Sequence, residues 1–566
     1  MQIPQESSSG SQQWKYWLDK WFYLLAVAGI LVNATGLLLP IIEPDGALYA
    51  TISRNMSQSG DYINLRVQGV DWLDKPHFPF WITALSFHLF GLNSFAYKFP
   101  ALLFWLGGGY FTYVFSKRIS GREVARLSFL IYLSVEHLII SNNDVRAEPY
   151  LTGLIIAAAY FYYRTYKDDK WIFILPGSLF LAMATMTKGI FIPVIVFGGF
   201  SLEWIVRKKW NEFFKLRWWV AVFLLLLFIT PELYCLYVQF DLHPEKIVFG
   251  TTHVSGIRFF FWDSQFGRFF NTGPIKGKGD PFFYLHTMLW AFLPWSPLVI
   301  ILLAGSLKKI KQGMTQSYRD FICPGIFITG FILFSLSRFQ LPHYLNFLYP
   351  FLSIIIAQYL VKLIPRIQQK IILYAQNILY VLLFLGCIII AIIFGLPYLP
   401  LIVLSLLAMA SVIFLFFPGQ KIENIIGRSF SLILVVNVFL NCLMYPELFK
   451  YESGIQAADY VNKNNQIGPV YTLSEISAEY AFEFYSRRPV SQLRISDLDS
   501  IKEKVIVFTP RNEMDSLQKK GFGIEEMKSF PHFHITRLTG TFINHKTREQ
   551  VVDSMSLIAI YPRKNI

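Results

Sequence analysis

Apolar positions in this 566-residue chain come as long unbroken runs, with polar residues confined to the breaks between them. Thirteen runs approach the roughly 20 residues that carry a helix across a ~30 Å hydrocarbon core. They lie near 21–40, 97–116, 125–141, 149–164, 171–187, 189–206, 218–238, 282–304, 320–336, 345–363, 371–394, 397–417 and 428–446. Each predicts a helix, because lipid offers no partner to an unpaired backbone N–H or C=O. A shorter stretch, HFPFWITALSFHLF (77–90), predicts a helix in or dipping into the outer membrane interface, a level that suits Trp81, His88 and the flanking aromatics. Reading it as a fourteenth span would reverse the side of every later loop.

Those loops carry a signature. SKRISGREVAR (116–126), RTYKDDK (164–170), RKKWNEFFKLR (207–217), KKIKQ (308–312), KLIPRIQQK (362–370) and GQKIENIIGR (419–428) all fall on the side of the N-terminus. Cationic loops stay in the cytoplasm, so residues 1–20 are expected there. Residues 21–449 form the membrane domain, with extracytoplasmic loops at 41–96 and 239–281. From 450 onward apolar density falls, and short strand-like segments at 469–473, 505–509, 532–538 and 557–561 surround an amphipathic stretch at 474–488. This predicts a small α/β domain over 450–566. Thirteen spans is an odd number, which puts that domain outside the cytoplasm. The fold class expected is thus a polytopic α-helical membrane protein with extracytoplasmic juxtamembrane helices and a C-terminal α/β domain.

Composition agrees: 54% of residues are hydrophobic, 17% aromatic and 16% charged. The net charge of +14 resides in the short loops, which argues for membrane orientation and against nucleic acid. Cys235, Cys323, Cys387 and Cys442 lie in apolar segments without metal-ligand spacing and read as small hydrophobes. The N-terminus lacks an A-x-A-like cleavage site, so the first run is expected to be a retained helix. No G-x-x-x-x-G-K-[ST] occurs, so ATP is not implied and the energy for a transfer must come with its donor.

The unusual polar residues gather on the extracytoplasmic side. EPDGALYA (43–50) places Glu43, Asp45 and Tyr49 at the mouth of the first helix. A carboxylate there is either an interfacial cap or, in a partly desolvated cleft, a general base. Lys75 in DWLDKP is either a snorkelling anchor or a point charge for a lipid phosphate. In NNDVRAEPY (142–150), Asp144, Arg146 and Glu148 form an internal ion pair or line an aqueous cleft. Lys188 and the junction SRFQLPHYLNFLYP (337–350), with Arg338, His343 and Tyr344, stand at further outer helix ends. Lys75, Arg146, Lys188 and Arg338 together fit an anionic headgroup, the Arg residues adding a bidentate fork. The long aromatic loop from His243 offers His253, Arg258, Arg268 and His286 as lid or binding residues, with a merely packed loop as the alternative.

An acidic motif ending in Tyr-Ala, then K-P with an aromatic helix, an acid-containing turn, a KG and an LP-x-Y junction, in that order over about residues 20–350, resembles the GT-C glycosyltransferases. The pattern is similar to dolichyl-phosphate-mannose protein mannosyltransferase-like enzymes and to bacterial lipid A aminoarabinose transferases. That resemblance implies a sugar donor on polyprenyl (undecaprenyl) phosphate, inverting transfer at the outer face of the bacterial inner membrane, and a periplasmic acceptor: lipid A, protein or glycan. It implies Asp45 as the catalytic carboxylate, Glu148 as the second acid of the turn and Lys75 as a ligand of the lipid phosphate. Arg146, Lys188, Arg338, His343 and Tyr344 would help bind the donor. No metal is required, although Glu43 or Glu148 could help hold a divalent cation. Where aminoarabinose transferases typically have D-E-x-R-Y-A, this chain has DGALYA, so an Arg is missing at Leu48 and other cations must neutralise the phosphate. The competing expectations are a transporter or flippase for an anionic polyprenyl lipid, and a non-catalytic scaffold whose tail binds partners.

Overall fold

The fold is taken from a computed structural model, which describes residues 7–311, 320–363, 366–464, 468–473 and 479–562. Residues 1–6, the end of KKIKQ, positions 364 and 365 of KLIPRIQQK and positions 474–478 of the expected amphipathic helix lie outside the described residues.

The first half of the chain forms α1 (Ser7–Thr35), α2 (Asp45–Ser59), α3 (Phe78–Phe90), α4 (Ser94–Ser120), α5 (Arg122–Leu133), α6 (Glu136–Asn143), α7 (Glu148–Asp168), α8 (Ile174–Lys188), α9 (Phe191–Val206), α10 (Leu216–Phe228) and α11 (Thr230–Leu236). After the short α12 (Gly256–Arg258) and α13 (Arg268–Phe270) come α14 (Phe283–Ala291), α15 (Ser296–Lys311), α16 (Ile322–Leu336), α17 (Tyr349–Gln358), α18 (Arg366–Phe394), α19 (Leu399–Phe416) and α20 (Ile422–Phe439). A helix occupies every one of the thirteen apolar runs. Among the described residues, seven helical stretches are long and apolar enough to cross a membrane unaided, or eight if α5 and α6, bent by 50°, form one span. Other runs are interrupted: the one at 282–304 breaks at Pro294, between α14 and α15.

Burial orders the bundle. Along an 18-residue stretch of Pro342–Lys362 94% of the residues are buried, so it runs inside the bundle, whereas along Leu399–Phe416 only 17% are, and most of its side chains turn outward. An apolar helix that buries so little is covered by lipid. Where α4 crosses α7, Gly108 and Gly153 allow the backbones to touch, and a Cβ at Gly153 would run into the Phe104 carbonyl. Gly153→Ala should therefore cost about 1–3 kcal/mol of overpacking and lower the thermal unfolding midpoint of the detergent-solubilised protein.

Two helices lie between the first and second long apolar runs. The α2 helix, which carries Asp45 at its first position, packs on α3. A two-residue hairpin, β1 (Arg66–Val67) with β2 (Val70–Asp71), sits between them, its turn at Gln68 and Gly69 having φ of 52° and 80°. Positive φ at both positions matches the twist of a tight hairpin.

Beyond the bundle follow α21 (Tyr445–Leu448), α22 (Ser453–Lys463), β3 (Val470–Leu473), α23 (Tyr480–Tyr485), β4 (Val490–Leu493), β5 (Val505–Pro510), α24 (Arg511–Lys519), β6 (Gly523–His532) and β7 (Asp553–Tyr561). The strands make one sheet in the order β4-β3-β5-β7-β6, with β3 parallel to β4 and β5, and β7 antiparallel to β5 and β6. Alternation along β5 sends Ile506 and Phe508 to the face covered by α22, and Val507 to the face covered by α24. The strand expected at 532–538 is a correction: β6 ends at His532, and Ile535–Arg537 is a 3-10 turn. Both strands the pattern failed to mark, β4 and β6, lie at the sheet's edges, β4 with no fully buried residue and β6 with only Phe530 buried, so no apolar alternation distinguishes them.

Candidate active site

Asp45 opens α2, and its carboxylate accepts a 2.7 Å hydrogen bond from Nη1 of Arg146. The same guanidinium donates to Asp144 Oδ2 through Nε at 3.1 Å and Nη2 at 2.8 Å. One Arg is thus gripped on two edges, and the pairing read from NNDVRAEPY as internal extends to the first helix mouth. The Arg146 side chain is 17% exposed and that of Asp45 is 40% exposed, so the carboxylate is oriented by a partly buried partner yet open to the cleft.

A second cluster comes from the loop before α3. Asp74 pairs with both Lys75 and Arg268. Burial works to raise the Asp74 carboxyl, but the two cations outweigh it and hold it down at about 2. Two positive charges on one carboxylate leave this clamp short of one anion. A third cluster lies at the ends of α7 and α8. Lys188 Nζ donates to Glu148 Oε1 at 3.0 Å and sits 3.6 Å from the centre of the Tyr344 ring, while His343 Nε2 is 3.7 Å from the same Glu148 oxygen. Gln265 ties the long loop to this point by donating to the Lys188 carbonyl at 2.9 Å.

The three clusters line one cleft of about 160 Å³, with Leu48, Tyr49 and Trp72 in its wall. Beside it lies a second compartment whose wall is mainly apolar, including Phe191, Leu236, Phe259, Phe260 and Phe334. Asp74, Lys75, Lys188, Arg268, Phe339 and Tyr344 border both. Charge is therefore concentrated at the boundary between a polar and an apolar space.

Of the residues singled out in the sequence, Asp45, Tyr49, Lys75, Arg146, Glu148, Lys188, Arg268, His343 and Tyr344 come together here. Asp144 stands behind Arg146 and does not border the cleft. Arg338 is not brought in: its neighbours Ser337 and Phe339 face the apolar compartment, while Arg338 itself is exposed and donates its backbone N–H to the Phe269 carbonyl. Arg268 stands where Arg338 was expected. His253 and His286 are exposed, and Arg258 reaches Asp263 at 3.5 Å; none borders the cleft. Glu43 turns away, accepting the Ala481 backbone N–H, and burial together with the Glu479 and Glu452 carboxyls raises it well above the usual carboxylate range. Sequence reasoning passed over Asp74, although an acid directly before Lys75 was a visible signal. Among the described residues, no three His, Cys, Asp or Glu side chains are arranged to share a metal ion.

A multi-span helical bundle with a small sheet domain, holding a cleft with a carboxylate at a helix mouth and cations at an apolar boundary, has an ArnT-like fold. Comparison with known proteins agrees. Residues 43–247 match the family model for dolichyl-phosphate-mannose-protein mannosyltransferase. The chain is 28% identical over 355 residues to an undecaprenyl phosphate-alpha-4-amino-4-deoxy-L-arabinose arabinosyl transferase of Edwardsiella ictaluri, covering 61% of this chain and 60% of the relative. It is 27% identical over 329 residues to an uncharacterized protein of Aquifex aeolicus, covering 56% and 59%. The chain thus spans about 60% of the length of the curated relatives it matches. In structure it resembles ArnT from Cupriavidus metallidurans bound to undecaprenyl phosphate, with a TM-score of 0.75 at 16% identity over 95% of this chain and 98% of that one.

Proposed function

We propose that the protein is an integral-membrane glycosyltransferase that moves a sugar from polyprenyl (undecaprenyl) phosphate to a periplasmic lipid A, protein or glycan acceptor, with inversion at the anomeric carbon. The observation that carries this reading is the adjacency of the two spaces: an open carboxylate in the polar cleft, and an anion-deficient clamp among the residues that border both it and the apolar compartment. A polyprenyl phosphate has the same polarity, with chain, phosphate and sugar in sequence. The resemblance to ArnT and to the named arabinosyl transferases supports the donor class.

In the proposed step the acceptor hydroxyl attacks the anomeric carbon and passes its proton to Asp45, held in place by Arg146. The bond from that carbon to the phosphate oxygen breaks, and the electron pair leaves with the phosphate. Lys75, Arg268 and Lys188 stabilise the charge that gathers there, which is where preorganised donors act most strongly. Glu148 keeps Lys188 oriented. A phosphate leaves readily, so this step needs no metal. The basic loops support thirteen spans with the N-terminus in the cytoplasm, and the cleft and residues 450–566 in the periplasm of a bacterial inner membrane.

The test is incubation of the purified protein with polyprenyl-phosphate-linked sugars and lipid A, peptide or glycan acceptors, with mass spectrometry of both products. Free polyprenyl phosphate and one sugar-bearing acceptor are expected in equal amounts. Donor lipid that is bound or translocated intact, with no bond broken in any combination, would instead establish a carrier.

A further inference from the structure

The α23 helix belongs to two cores at once. Ala481 and Phe484 pack into the core of the helical bundle, while Phe482 packs into the core of the C-terminal sheet. Its backbone and side chains also hold the segment that bears Asp45, on both sides of that residue. Before Asp45, the Ile41 N–H donates to the Tyr485 hydroxyl at 2.8 Å and the Glu43 carboxylate receives the Ala481 N–H. After it, Thr51 Oγ1 donates to the Tyr480 carbonyl at 3.1 Å, and Arg54 donates to the carbonyls of Glu483 and Phe484. The Tyr485 hydroxyl is itself fixed by Ser94 Oγ at 2.7 Å.

Glu43 is the telling member. It is 5% exposed, its second oxygen has no partner, and the nearest carboxyls, Glu479 and Glu452, are also buried. A carboxyl in such a place is costly to keep, and it does not border the cleft. Its recorded bond joins the C-terminal domain to the turn two residues before Asp45. We infer that α23 of the C-terminal domain acts as a clasp that sets the position of the Asp45 carboxylate, with Glu43 as its positioning residue. The inference rests on the glycosyltransferase reading for its kinetic consequence, but the clasp itself is a structural assertion.

Glu43→Ala is expected to lower kcat by about 10–100-fold, the penalty of a misplaced reacting group, while donor KM stays within about twofold. Glu43→Gln keeps an acceptor oxygen for the Ala481 N–H and should return kcat to within about threefold of the parent. Tyr485→Phe, which releases the Ile41 N–H, should also slow turnover without altering donor KM. In hydrogen–deuterium exchange, the amides of Asp45–Ser59 should exchange faster in Glu43→Ala than in the parent. Unchanged kcat in Glu43→Ala, no rescue by Gln, or a joint fall of kcat and donor affinity with a lowered unfolding midpoint would each overturn the clasp. Absence of transfer by the parent protein would defeat the glycosyltransferase reading instead. The exchange measurement would then decide alone, equal protection in Glu43→Ala and parent overturning the clasp.

Discussion

Asp45→Asn is expected to slow sugar transfer by about 10²–10⁴-fold, the usual contribution of a positioned general base. Asn has the same shape, and its side-chain oxygen can still accept from Arg146 Nη1, so the helix mouth keeps its geometry. It cannot accept the proton of the attacking hydroxyl. Arg146 retains Asp144 as its ion-pair partner, so the variant does not strand a buried guanidinium. Affinity for polyprenyl phosphate should consequently change only a few-fold, because the phosphate clamp lies elsewhere in the cleft. Single-turnover rates and calorimetric binding on the same folded preparation separate the two quantities. A variant that transfers sugar at the parental rate would remove Asp45 from the chemistry.

Lys75→Ala and Arg268→Ala should each cost about 10²–10³-fold in kcat/KM, comparable to losing one donor to a developing oxyanion. The reasoning is one of charge count. Asp74 is paired with both cations, and removing either leaves a balanced pair with no attraction to spare for a phosphate. Because the two cations share one carboxylate, the double variant should lose less than the product of the single effects, and a double-mutant cycle measures that shortfall. Strict multiplication would mean that they act on different groups. The pH dependence follows with a definite sign. Asp74 is depressed from 3.8 to about 2, so the stability it contributes is complete above pH 4 and disappears only as pH falls through about 2. Donor affinity should thus show no acid limb from Asp74 at any pH above about 4.

Much of this could be read from the chain because membrane helices are specified by run length. All thirteen apolar runs hold helices, and the motifs around Asp45, Lys75, Arg146, Glu148 and Lys188 meet although their positions span about a quarter of the sequence. What escaped reading has a common physical origin in direction and partnership. Arg338 was legible as a cation at a helix junction, but which side chain of a bend faces inward is not written in the residue type, and here it is the neighbours Ser337 and Phe339 that do. Arg268 lay in a loop with several equivalent basic residues, and its distinction is the tertiary contact with Asp74. Glu43 shares a motif with Asp45, yet the two carboxylates face different bodies. The edge strands β4 and β6 lacked a pattern because edges bury little.

The clasp also has a consequence for when the molecule becomes competent. Glu43 and Ala481 are 438 positions apart, so the segment bearing Asp45 leaves the ribosome long before the helix that fastens it exists. Chains are made from the N-terminus, and domains generally fold as units in that order. The cations of the cleft and the Arg146–Asp45 pair can assemble with the bundle, but the bonds from α23 to the segment on either side of Asp45 form only once α23 is in place. Assembly therefore ends at the segment around Asp45, and on the proposed reading a nascent or misassembled bundle would hold the lipid before it could break the sugar–phosphate bond.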